Sequence, residues 1–300
     1  MPKMHPNEVE TDSALVRRLL QQQFPQWAEL PLRAVPSAGT DNAIYRLGDA
    51  LAVRLPRIDW AIGQIEKELV WMPKLAPHLP LTIPVPVAQG EPAEGYPWRW
   101  AVYQWLEGEN ATLEQIADPC QAARELAQFI VALQQIDTTA APLAGPNSRG
   151  APLLNRDANT RQALAALEEM IDVRAATAVW ERALQAADWS QDPVWFHGDL
   201  LPGNLLFDNG RLSAVIDFSS LAVGDPACDL MIAWGLFAGE SREVFRQTLA
   251  VDDDTWARGR GHALAQAAIF IPYYLHTNPV GVAYAQHMIA NVLADYNANG

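Results

Sequence analysis

Cysteine is almost absent from this 300-residue chain: Cys120 and Cys228 are the only two, far apart and without the spacing of a zinc site or redox motif. That excludes a disulfide-stapled scaffold and leaves two packed thiols in a reducing cytoplasm as the expectation. Lysine is nearly as scarce, confined to Lys3, Lys67 and Lys74. Basic residues total 21 against 35 acidic ones, and the formal charge of −14 argues against a nucleic-acid or anionic-membrane partner. No apolar run is long enough to span a bilayer. The stretch MPKMHPNEVETDSALVRRLL has no continuous apolar core after its basic start, so no secretory signal is expected.

What is present is a composition that folds. Half the residues are hydrophobic and eleven are tryptophan, enough for one large domain or two lobes. The charge is uneven: residues 1–110 carry −3 and residues 111–300 carry −11. Such an acid excess can serve solubility alone or steer a cationic ligand, and the sequence leaves both open.

Hydropathy changes character along the chain. Residues 12–24 read as a helix with Ala14, Leu15, Leu19 and Leu20 on one side. Three strand-like segments follow (LPLRAVPS, AIYRLG, LAVRLP), separated by the turn formers AGTDN and DA. A helix is expected over 59–76, then IPVPVAQG, whose prolines restrict it to a sheet edge, and RWAVYQWL. From residue 112 helices dominate: 120–136, 158–170, 174–187, 226–238, 241–249, 254–270 and 281–296. The segment 138–155, rich in Pro, Gly and small residues, reads as a surface loop. Residues 194–218 alternate short apolar runs with turns, and Asp208-Asn209-Gly210 marks a hairpin.

The chemistry-bearing stretch is HGDLLPGNLL, residues 197–206, with AVIDFSSLAVGDPACDL (214–230) after it. Asn204 and Asp217 lie at the two ends of the expected hairpin, so folding back brings two oxygen donors together. Such a pair suits magnesium, which takes few protein ligands and keeps phosphates and waters in its other positions. Asp199, five residues before Asn204 across a Pro-Gly bend, is left to address a substrate hydroxyl.

Residues 197–204 resemble the catalytic loop of the protein-kinase-like superfamily, and the glycine after His197 is similar to its aminoglycoside phosphotransferase branch. Asp217-Phe218-Ser219 resembles the metal-binding Asp-Phe-Gly element. More weakly, LAVR (51–54) is similar to the strand ending in the phosphate-binding lysine. SAGTDN (37–42) sits where the phosphate-covering loop would be, Glu68 matches the lysine's acidic partner, and YQWLEGE (103–109) resembles the connection between lobes.

The resemblance implies a bilobal α+β fold, with a small antiparallel-sheet lobe over 1–105 that binds nucleotide and a larger, mainly helical lobe over 106–300 for catalysis and acceptor binding. Asp199 would be the catalytic base, Asn204 and Asp217 the Mg2+ ligands, and His197 and Asp229 braces of the loop. ATP or GTP would be the phosphoryl donor. Ser37, Gly39, Thr40, Arg54 and Glu68 would serve its phosphates, Ala52, Leu206 and Ile216 would enclose the purine, and backbone groups of Gln104, Trp105 and Leu106 would read its edge.

Two departures stand out. Arg54 replaces the lysine, and arginine holds phosphate through a planar fork of different geometry; the covering loop has one glycine where protein kinases have three. Only seven residues separate Asp217 from Asp225, too few for the segment with which protein kinases hold a peptide. The expected acceptor is therefore a small hydroxyl compound. An aminoglycoside or other cation fits the acid excess, although similar kinases act on macrolides, choline, homoserine and sugars. A nucleotide-binding pseudokinase module and a metal-dependent hydrolase are the alternatives.

Overall fold

The computed structural model describes residues 8–35, 41–112 and 116–299. They form two compact units. One runs to Gly108 and also takes in Ala214–Ser219; the other comprises Glu109–Ser213 and the chain from Ser220 onward. The α+β architecture expected from sequence is the one found, an antiparallel sheet followed by a mainly helical region.

In the first unit, β1 (Leu32–Ala34), β2 (Asn42–Leu47), β3 (Leu51–Pro56), β4 (Pro86–Gly90) and β5 (Trp100–Gln104) make a sheet of order β1-β2-β3-β5-β4. Every pairing is antiparallel, and the proline-containing β4 lies at an edge. Period-two alternation sends neighbouring side chains to opposite faces. Val53, Leu55, Trp100 and Val102 join one core with Leu15, Val16, Leu19 and Leu20 of α1 (Ser13–Gln23). Ala101 and Tyr103 pack instead with Ile65 and Leu69 of α2 (Gln64–Leu75). That helix starts later than its periodicity suggests, because Gly63 takes a left-handed conformation, φ 89°, directly before it.

The second unit holds α3 (Pro119–Gln134), α4 (Asp157–Ala165), α5 (Val173–Gln185), α6 (Ile232–Gly235), α7 (Glu240–Leu249), α8 (Asp253–Tyr274) and α9 (Pro279–Asn299). Residues Thr255–Ala265 of α8 are all buried, so this helix is an axis on which the others pack. The helix expected over 226–238 is a 3-10 stretch, Pro226–Met231, followed by the single turn of α6. Proline at the first position tightens the start, and Asp225 caps it by accepting from Ala227 N at 3.0 Å.

Two small sheets carry the motif-bearing segment. β7 (Val194–Phe196) pairs with β10 (Ala222–Gly224), while β8 (Leu205–Asp208) lies between β6 (Glu109–Asn110) and β9 (Arg211–Val215). The turn joining β8 to β9 places Asn209 at φ 49° and Gly210 at φ 79°, the pair of positive angles that a two-residue hairpin turn demands. No helix among the described residues is long and apolar enough to cross a membrane.

Candidate active site

Two clusters contain the residues singled out from sequence. Ala52, Arg54, Glu68, Gln104, Trp105, Leu106, Ile216 and Asp217 belong to the first unit; His197, Asp199, Asn204, Leu206 and Asp229 belong to the second. Ser37, Gly39 and Thr40 lie outside the described residues.

Strand alternation explains the first cluster. Arg54 follows Val53 and therefore faces α2, as does Tyr103, which pairs with Ala52 across the ladder. Arg54 Nη1 donates to both carboxylate oxygens of Glu68, at 2.7 and 2.8 Å, and Nη2 donates to Gln64 Oε1 at 3.1 Å. The Tyr103 hydroxyl donates to Glu68 Oε2 at 2.6 Å. Burial alone would lower the Arg54 pKa, but Glu68, Tyr103 and Asp217 outweigh it and raise it further. Burial raises that of Tyr103, with Glu68 adding to the effect.

Asp217 Oδ1 lies 3.6 Å from Arg54 Nη2. Its backbone sits at φ 62°, a left-handed conformation that residues with a β-carbon rarely occupy and that costs of order 1–3 kcal/mol. Lys67, adjacent to Glu68 on α2, donates from Nζ to the Ser219 carbonyl at 2.6 Å, and burial lowers its pKa. Farther along the sheet, Gln104 N–H donates to Val85 O at 3.2 Å and Trp105 N–H to Ala50 O at 2.8 Å. Of the backbone N–H groups of Gln104, Trp105 and Leu106, that of Leu106 alone shows no partner among the described residues.

The second cluster is the loop after β7. Gly198 takes φ 82°, where a Cβ would come within 2.9 Å of Ser220 Cβ. The fully buried Asp229 accepts from His197 N at 2.8 Å and from Gly198 N at 2.6 Å. Burial, working against those two bonds, pushes its carboxyl up to about 7. His197, also fully buried, accepts at Nδ1 from Asp199 N at 3.1 Å. Asn204 Nδ2 donates to the Asp199 carbonyl at 2.8 Å and to Asp199 Oδ2 at 3.2 Å. Asp229 and His197 thus hold the loop's backbone, and within the loop Asn204 alone bonds the part-buried Asp199 carboxylate.

Sequence reasoning missed the remaining partner of that carboxylate. Arg149 Nη1 is ion-paired with Asp199 Oδ1 and donates to Gly198 O at 2.6 Å. It comes from the segment read as a surface loop, which is in fact pinned. Ala144 N donates to Val223 O at 2.9 Å, Val223 N to Pro142 O at 2.9 Å, and Asp225 N to Gly150 O at 3.1 Å. Gly150 lies so close to Phe196 that a Cβ would sit 2.1 Å from the ring. The signal in sequence is the Arg-Gly dipeptide itself, and nothing in its Pro/Gly-rich surroundings says where it docks.

Magnesium fits the donors that are present. Hard oxygens are what it requires, few of them from protein. Asp217 offers a carboxylate whose side chain is 38% exposed. Asn204 commits its amide nitrogen to Asp199, so its carbonyl oxygen is left for a cation. Among the described residues there is no group of three or more His, Cys, Asp or Glu able to hold a metal by themselves.

The family model described as "Phosphotransferase enzyme family" matches residues 33–262. The uncharacterized protein YcbJ of Bacillus subtilis (strain 168) is 26% identical over 205 residues, covering 64% of this chain and 62% of that protein. The chain thus matches about three fifths of that relative's length. The GDP and kanamycin complex of APH(2")-IIia superposes with a TM-score of 0.71 at 17% identity, covering 95% of this chain and 99% of that one. Macrolide 2'-phosphotransferase type I gives 0.64 at 20% identity, covering 93% and 97%.

Proposed function

Because the chain belongs to the phosphotransferase enzyme family, we propose that it moves the γ-phosphoryl group of a nucleoside triphosphate to a hydroxyl on a small molecule. The observation that carries this reading is the loop at 197–204, where Asp229 holds the backbone and Asn204 fixes one oxygen of Asp199. A carboxylate immobilised in this way is suited to orient a hydroxyl and accept its proton.

In the proposed reaction the acceptor oxygen bonds to the γ-phosphorus as the bond to the β–γ bridging oxygen breaks. The hydroxyl proton passes to Asp199 and the nucleoside diphosphate departs. Little covalent work falls to the protein, so positioning and charge neutralisation supply most of the acceleration. Asn204 and Asp217 would hold Mg2+, which when bound neutralises phosphate charge. Arg54, kept charged and oriented by Glu68, would serve the phosphates, Leu106 N–H would meet the purine edge, and Ala52, Leu206 and Ile216 would enclose its faces.

ATP or GTP would serve as donor. An aminoglycoside-type or other cationic acceptor is supported by the −11 charge of residues 111–300, and the same loop chemistry is compatible with neutral hydroxyl compounds. A second reading, a nucleotide-binding module without transfer, is favoured by Arg54, whose guanidinium is already engaged by Glu68 and Gln64. Asp199→Ala separates the two. The kinase reading expects nucleotide binding to survive and transfer to fall by several orders of magnitude. Wild-type-like turnover by this variant would refute the assignment of Asp199.

A further inference from the structure

One side-chain contact of the first unit bridges 152 positions of sequence. Lys67 Nζ, on the residue next to Glu68 in α2, donates to the Ser219 carbonyl at 2.6 Å. An ammonium-to-carbonyl hydrogen bond of this length is charge-assisted and stronger than one between neutral groups. Its acceptor lies two residues beyond Asp217, whose carboxylate is offered to Mg2+. Neither the phosphate contacts nor the metal ligands proposed above include Lys67.

Asp217 needs a hold from outside its own turn. Its φ of 62° is a conformation that persists only where surrounding contacts over-determine it. The local contact is weak, because Ser219 N–H reaches Asp217 Oδ1 at 3.4 Å, near the limit of a hydrogen bond. Lys67 grips the carbonyl of that same Ser219 and so fixes the residue against which the Asp217 carboxylate leans. Phe218, between the two, is buried and anchors the middle of the segment.

The same turn of α2 serves the neighbouring cation. Glu68 accepts from Arg54 Nη1 at 2.7 and 2.8 Å, and Arg54 Nη2 lies 3.6 Å from Asp217 Oδ1. Consecutive helical residues point about 100° apart, so Lys67 and Glu68 reach different partners. Glu68 takes the arginine on β3, and Lys67 takes the backbone after Asp217. We infer that Lys67 is a positioning residue: by holding Ser219 it keeps the Asp217 carboxylate in the orientation that receives a divalent cation, and it acts on the metal only through Asp217. This rests on the phosphotransferase reading for the cation and its nucleotide, and it adds a residue to that site.

The test measures, on the full chain and without any transfer step, how strongly a divalent cation and a nucleotide support each other's binding. ADP is titrated by calorimetry with and without saturating Mn2+, and the ratio of the two affinities is the coupling. Lys67→Met removes the donor and keeps the length of the side chain. It is expected to lower the coupling by about tenfold or more, the loss of a charge-assisted hydrogen bond, while ADP affinity without metal stays within about twofold. Lys67→Arg, which keeps a charged donor, should hold the coupling within about threefold of wild type. In Asp217→Asn the coupling is already reduced, and adding Lys67→Met should change it by less than about twofold, because residues acting through one group are not additive. Lys67→Gln, whose amide reaches less far, takes the place of Lys67→Met should that variant fail to fold.

Unchanged or tighter coupling in Lys67→Met, an equal loss of metal-free ADP affinity, a Lys67→Arg variant no better than Lys67→Met, or a further fall of about tenfold on the Asp217→Asn background would overturn the inference. Absence of ADP binding by wild type, with or without Mn2+, removes the kinase reading and the inference together. Wild-type coupling that survives Lys67→Met removes the inference alone.

Discussion

Asp229 and Gly198 are joined by a 2.6 Å hydrogen bond from the Gly198 amide to a carboxyl that is wholly withdrawn from water. Because burial raises that carboxyl to about 7, the folded protein binds a proton between about pH 4 and pH 7 that the unfolded chain has released. Stability from this group is therefore fully present below about pH 4 and declines as pH rises towards 7. Chemical denaturation across pH 4–8 should show this decline in wild type and a flatter profile in Asp229→Asn. Identical slopes in the two proteins would contradict it.

Glu68 holds Arg54 through two short hydrogen bonds and receives a third from Tyr103. Removing one partner strands a buried charge, so Glu68→Ala is expected to cost about 3–5 kcal/mol in urea denaturation. Glu68→Gln, which keeps an acceptor for one donor, should cost less. A loss below about 1 kcal/mol for Glu68→Ala, the range of an exposed pair, would show that the pair is not held away from water.

Gly150 touches Phe196 so closely that an added Cβ has no room. Gly150→Ala should lower stability by about 1–3 kcal/mol through overpacking. It should also lower transfer more than it lowers nucleotide affinity, because the displaced segment carries Arg149. Steady-state kinetics alongside thermal denaturation check both halves, and an unaltered kcat would sever the link between Gly150 and Asp199.

Arg149→Gln leaves Asp199 Oδ1 without its ionic partner. Transfer should fall by about tenfold or more as Asp199 loses its fixed orientation, whereas nucleotide KM should stay within about twofold. A matched loss of nucleotide affinity would place Arg149 among groups that support the whole second unit and not Asp199 in particular.

Much of the fold was legible in the sequence because periodicity reports local burial. Alternation through LAVRLP and WAVYQ describes a sheet with two packed faces, and this is what puts Arg54 and Tyr103 beside Glu68. The Asn-Gly pair specifies its own turn. The stretch 226–238 departs from the helix expected there because its apolar residues are buried nearly all round and show no helical face, while Pro226 and Asp225 favour a tighter start.

The site was legible where function compresses residues into one loop, as at 197–204, and illegible where contacts come from distant segments. Arg149 reaches Asp199 through backbone bonds between 142–150 and 223–225, none of which involves a side chain that sequence could flag. Lys67, one of three lysines, belongs to no motif, yet it binds the carbonyl two residues beyond Asp217.

The most direct test of the account is phosphorus NMR of the wild-type protein with Mg-ATP and a panel of aminoglycosides, macrolides, neutral alcohols and hydroxy acids. Transfer to a hydroxyl predicts a new phosphomonoester resonance that grows as ADP appears, dependent on one class of acceptor and absent with Asp199→Ala. Release of inorganic phosphate alone, or persistence of intact ATP with every compound while the nucleotide remains bound, would contradict it.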